Sequence, residues 1–138
     1  MKTADILRRY PSWIVQLAAL EVNRKILRYQ ILEESPSGSD TGVRSSQTSN
    51  PTESKALTLL TKTLELDARI RILAGRVGIV ETALQLLDPM EASVVNRYYF
   101  QESGYRGTME SLDLTSNQVR RILDLVSHKL EYLENLIK

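Results

Sequence analysis

From Leu66 to Leu87 the chain places a large aliphatic residue at alternating steps of four and three: Leu66, Ile70, Leu73, Val77, Val80, Leu84 and Leu87. A repeat of 3.5 residues matches one stripe of an α-helix and cannot match the two-residue period of a strand. The stretch is therefore expected to be a helix whose seam another helix covers, in a hairpin, a coiled-coil dimer or both. It should begin near Thr52 or Glu53 and run to about Leu87. Gly75 and Gly78 lie inside it, each costing roughly 1 kcal/mol of helix propensity, and they are expected to mark a bend or a close crossing.

The natural partner for that seam is upstream. Trp13, Leu17, Leu20, Leu27 and Ile31 recur at helical steps, and Val15, Ala19, Val22 and Ile26 form a second, adjacent stripe. With Pro11 at the entrance and Ser12 as N-cap, the spacing predicts a first helix from about Ser12 to about Glu34. Its broad apolar face suits contact with more than one neighbour. Residues 35–52 are almost wholly Ser, Thr, Gly, Pro and other polar residues, with Val43 their one large apolar group. They are expected to form a flexible loop between the two helices.

Asp88-Pro89 stops the heptads, since proline disfavours a helical residue before it. Beyond it the apolar groups become shorter and are separated by Gly104, Gly107 and Asp113-Leu114-Thr115. This predicts two parts, a helical hairpin over 1–87 and a three-helix segment over 88–138. In the second part, Met90, Val94, Val95, Tyr98 and Tyr99 suit a helix from about Pro89 to Phe100. A short helix follows from about Arg106 to Leu112, then a tight turn, then a longer helix with Val119, Ile122, Leu123, Val126, Leu130, Leu133 and Ile137 on one side. Thr115 can cap that last helix, with Gln118 completing a capping box. Leu112, Leu114 and Val119 can plug the corner, which is the geometry of a helix-turn-helix.

The polar front of the last helix carries Ser116, Asn117, Gln118, Arg120 and Arg121, and residues 114–123 contain no acidic side chain. Asn and Gln can bond an adenine edge bidentately and Arg a guanine edge. These five, with Thr115, are the expected DNA-contacting residues, and Arg106 and Lys129 are expected phosphate contacts. Charge argues the other way. The whole chain carries +1, and residues 88–138 hold six basic against eight acidic groups, whereas phosphate attraction normally supplies much of the affinity for DNA.

Leu87-Asp88-Pro89-Met90-Glu91, Val94-Val95 and Tyr98-Tyr99-Phe100 resemble the opening of region 4 of sigma-70-type factors. The likeness continues through Leu112-Asp113-Leu114-Thr115, three variable residues and Val119, and again at Leu130. Asp113 stands where that family has a turn glycine, and Thr108-Met109 where it prefers an aliphatic followed by Ala. Such a Met implies a wider crossing of the two helices or a shifted register. A long helical N-terminal half, a polar spacer and this C-terminus are similar to the RinA/ArpU group of phage regulators. That resemblance implies a small phage or prophage protein controlling late genes.

Other chemistries find no support in the residues. The chain has no cysteine and a single histidine, His128, so thiolate and multi-His metal sites are excluded. No phosphate-binding glycine loop, nucleophile elbow or nucleophile-base set occurs, and adjacent Glu33 and Glu34 do not share a helix face. No catalytic residue, cofactor or metal is expected, and the protein is read as no enzyme. Tyr98, Tyr99, Phe100 and Tyr105 are read as packing and His128 as a surface residue. No apolar run reaches the ~20 residues of a membrane span, and the opening Met1–Ile6 lacks a signal-peptide pattern, so the expected location is the cytoplasm of a bacterial host.

The expectation is thus an all-α, sequence-specific binder of double-stranded DNA that regulates transcription. Its hairpin would form a homo-oligomer, a dimer first, or meet another component such as RNA polymerase. The rival readings are a phage small terminase subunit, and a helical assembly protein that never touches DNA.

Overall fold

The structure, a computed structural model, describes residues 1–34 and 51–138. Among them every regular element is helical: α1 (Thr3–Glu34), α2 (Pro51–Leu84), α3 (Pro89–Val95), α4 (Gly104–Leu112), α5 (Ser116–Lys129) and α6 (Leu133–Leu136). A π-helical turn, Asn96–Phe100, continues α3. The protein is all-α. The expected flexible loop lies outside the described residues, apart from Pro51 and Thr52 in the first turn of α2. No described helix is long and apolar enough to cross a membrane.

The first helix starts nine residues earlier than expected. Pro11 lies inside α1 and not at its entrance, although an interior proline removes one backbone hydrogen bond and costs about 3 kcal/mol. Tertiary packing compensates. Ile6, Leu7 and Tyr10, all before the proline, are buried, and full burial of an aliphatic side chain stabilises by about 1.5–3 kcal/mol. At its other end α2 closes at Leu84 and leaves through turn-type bonds from Gln85, Leu86 and Leu87 to the carbonyls of Thr82, Ala83 and Leu84.

Contacts divide the chain into two compact units, residues 1–15 with 74–138, and residues 16–73. The division expected at residue 88 is therefore not where the chain separates. In the first unit α3, α4 and α5 pack on one another, and they share a core with the start of α1 and the end of α2. Val94, Val95, Val119, Val126 and Leu130 are buried alongside Ile6, Leu7, Trp13, Val77, Val80 and Ala83. Tyr10 reaches Glu81 (3.4 Å) and the Arg76 guanidinium lies over Trp13 (5.5 Å), so the two chain directions are opposed here.

In the second unit the expected inward registers are the covered ones. Leu20, Leu59 and Leu73 are buried, Leu27, Ile31, Leu66 and Ile70 half-buried, and Arg24 pairs with Asp67 at 2.8 Å. The second stripe of α1 behaves differently. Val22 and Ile26 are exposed to solvent and not packed on a further neighbour.

The π-helical turn is the other departure from a plain helical reading. Its wider winding, closed by Gln101 N–H to the Asn96 carbonyl at 2.9 Å, turns Tyr99 into the core and brings Phe100 to Tyr10, with ring centroids 5.2 Å apart. Tyr98 packs edge-on to Tyr99 and Tyr105. The aromatic cluster is packing. Burial pushes the Tyr99 hydroxyl above its ordinary range, against the opposing pull of nearby Arg8.

Candidate nucleic-acid interface

The corner between α4 and α5 is built by three local devices. Asp113 takes the left-handed conformation (φ 57°, ψ 49°) that ends α4, which short polar side chains tolerate better than others. The N–H groups of Asp113 and Leu114 both return to the Met109 carbonyl, satisfying an acceptor that a helix end otherwise leaves open. Thr115 then caps α5. Its Oγ1 accepts from Gln118 N–H at 3.2 Å, while Gln118 Oε1 accepts from Thr115 N–H at 2.9 Å. This capping box fixes the direction in which α5 leaves the turn.

The packing under the corner follows from residue size. Thr108 is wholly buried and its hydroxyl donates to the Gly104 carbonyl at 2.7 Å. Thr108 and not Met109 is thus the most enclosed residue of α4; Met109 is half-buried. Gly107 sits where a Cβ would come within 2.7 Å of Ser103 Cβ. From α5, Val119, Leu123 and Val126 enter the core.

With those three inward, the opposite face of α5 is open. Ser116, Asn117, Gln118, Arg120 and Arg121 are all exposed, as is the Thr115 cap. Asn117, Arg120 and Arg121 share the outer surface of the first two turns, one turn apart. The open face is bounded by charge: exposed Glu110 and Asp113 precede it and exposed Asp124 follows it. The basic patch is therefore confined to the front half of α5. Gln118 belongs to it only in part, because its oxygen is committed to the cap and only its amide NH₂ remains to donate.

The two expected phosphate contacts occupy different situations. Arg106 is at the start of α4 with its side chain 92% exposed, 3.7 Å from Glu110, a pair too open to hold it. Lys129 closes the last turn of α5 and is engaged inward. Its Nζ donates to Glu91 Oε1 at 2.6 Å, and the Glu91 side chain is almost fully buried. The same carboxylate oxygen accepts from Asp88 N–H at 3.0 Å, completing a second capping box at the start of α3. Lys129 thus ties the rear of α5 to the entrance of α3. His128 is on the surface, 4.0 Å from Glu131.

Sequence reasoning missed two structural ties, the Glu91 pair and one at the chain ends. Thr3 donates from both its N–H (3.0 Å) and its hydroxyl (2.8 Å) to Glu134 Oε2, joining the start of α1 to α6. These bonds hold the Glu134 carboxyl below its usual range. The one available signal was chemical, a Glu near a proline-led helix start, and it pointed to the cap and not to Lys129. Compared with protein-family models, curated proteins and solved structures, the chain matches none.

Proposed function

We propose that this protein binds double-stranded DNA in a sequence-specific manner and regulates transcription, as a phage or prophage regulator of late genes. The observation that carries the reading is the exposed front of α5. Asn117, Arg120 and Arg121 stand clear of the core on a helix whose start is fixed by the Asp113 turn and the Thr115–Gln118 box. In a helix-turn-helix these first turns enter the major groove, where Asn and Arg recognise base edges by paired hydrogen bonds. Ser116 and the Arg106 guanidinium would lie against the backbone and set the register.

Each reader is small and its surroundings are mildly acidic, so one copy has few phosphates to neutralise. Two copies on two half-sites about double that number. The hairpin is the part left to bring copies together, or to meet RNA polymerase. A ring of eight or more copies in solution would instead favour a small terminase subunit recognising a packaging site.

Binding to pooled genomic fragments, titrated with salt, tests the reading. The expected result is retention of a subset of fragments at low salt, with affinity falling log-linearly as salt rises. Absence of retention at low salt would remove the DNA-binding reading and leave a helical assembly protein, the alternative that the acidic balance of residues 88–138 favours.

A further inference from the structure

The compact unit that carries α5 also contains residues 1–15. These bring Lys2, Arg8 and Arg9 against the single acid Asp5, which offsets the acidic balance of residues 88–138. One of the three cations is built into a cleft. Arg8, Tyr98, Tyr99, Glu102 and Gly104 line a cavity of about 260 Å³ that is open to the surface. Gly104 begins α4, two residues before Arg106. Burial raises the Tyr99 hydroxyl first, and the Asp124 carboxylate of α5 is among the groups that raise it further, so the cleft lies within electrostatic reach of the exposed α5 face.

The Arg8 guanidinium lies over the Tyr99 ring, 5.5 Å from its centroid. Tyr99 is buried, so the platform under the guanidinium is fixed. Stacking engages the flat face of the group and leaves the N–H donors in its plane free. Among the described residues Arg8 has one ion pair, with Asp5 at 3.8 Å, and both side chains are about half exposed. Such a pair is too loose to consume those donors. Tyr98 adds a hydroxyl with no hydrogen-bond partner among the described residues. We infer that this cleft seats a backbone phosphate of DNA, held by the planar fork of Arg8 with the Tyr98 hydroxyl as a second donor.

The shape of the cleft selects that occupant. A small-molecule site encloses most of its ligand in about 300–1,000 Å³, whereas this one is smaller and open, which suits a polymer passing across it. Glu102 is the one acid in the lining. It is exposed and makes no ion pair with Arg8, and its carboxylate opposes a phosphate without blocking the fork. The inference rests on the proposed DNA reading and extends it, adding a contact from α1 beside the one assigned to Arg106.

Salt-titrated binding of the full chain to pooled genomic fragments tests it, with thermal midpoints measured on the same samples. Arg8→Gln is expected to weaken every retained fragment by a similar factor and to reduce the salt slope by about one, with fragment preference unchanged. Arg8→Lys keeps the charge but not the planar fork, so it should keep the slope and recover part of the affinity. Glu102→Gln should tighten all fragments, the opposite sign from the same cleft. An Arg8→Gln protein with the wild-type slope, whatever its thermal midpoint, or a Glu102→Gln protein that binds no tighter than the wild type, overturns the inference and leaves the DNA reading standing. A wild type that retains no fragment at low salt defeats the DNA reading, and this inference with it.

Discussion

Lys129 and Glu91, 38 residues apart in sequence, form an ion pair of 2.6 Å that joins the last turn of α5 to the first turn of α3. Glu91 is nearly inaccessible and Lys129 is about two-fifths exposed. Removing the lysine leaves a buried carboxylate with one backbone N–H partner.

Lys129→Ala should lower stability by about 1–3 kcal/mol, the cost of a buried acceptor losing a charged donor, seen as a fall in thermal midpoint. The salt slope of DNA binding should stay the same, whereas a phosphate-contacting lysine would reduce it by about one. A reduced slope with unchanged stability would show that Lys129 leaves Glu91 to meet DNA.

Gly107 makes a second test of the corner. A Cβ there meets Ser103 Cβ at 2.7 Å, so Gly107→Ala should destabilise by about 1–3 kcal/mol through overpacking. Denaturant unfolding of Gly107→Ala alone and combined with Ser103→Gly checks this. The second change should recover most of the loss.

The Thr115–Gln118 box yields a third. Thr115→Ala should cost about 1 kcal/mol of stability and weaken every DNA site to a similar degree, since it loosens the start of α5 without touching a base. Thr115→Ser, which keeps the accepting oxygen, should restore both. Unfolding and binding measured on the same samples separate these effects.

Acid sensitivity follows from Glu134, whose carboxyl is held below its ordinary value of 4.5 by the hydroxyl and then the N–H of Thr3. A depressed folded value means the contact's stabilisation is complete above the unfolded value and is lost as pH falls through the folded one. The start of α1 should therefore loosen below about pH 4.5. Amide exchange near Thr3 should rise in acid in the wild type, and in Glu134→Gln the exchange rate should be less dependent on pH across that window.

How far the sequence discloses this arrangement depends on the range of each interaction. The Thr115–Gln118 box, the left-handed Asp113 and the Pro89 start were legible because each is decided within four residues by backbone donors and acceptors. The Leu66–Leu87 register was legible because burial follows a fixed period. The start of α1 was not, since Pro11 locally favours a helix entrance and only the tertiary burial of Ile6, Leu7 and Tyr10 offsets an interior proline. The π-helical turn leaves no periodic trace in five residues. Lys129 was read as a phosphate contact because nothing in its own helix names Glu91, and Thr3 and Glu134 lie at opposite ends of the chain.

If the front of α5 reads base sequence, site preference resides in Arg121 and not in Arg106. Fragments selected by the purified full chain are sequenced for the wild type, Arg121→Ala and Arg106→Ala. Arg121→Ala should lose discrimination at particular base positions by about 1–3 kcal/mol, while Arg106→Ala should weaken all fragments about equally and keep the same preference. An Arg121→Ala protein that selects the same fragments with the same ranking as the wild type would mean that the front of α5 does not read bases.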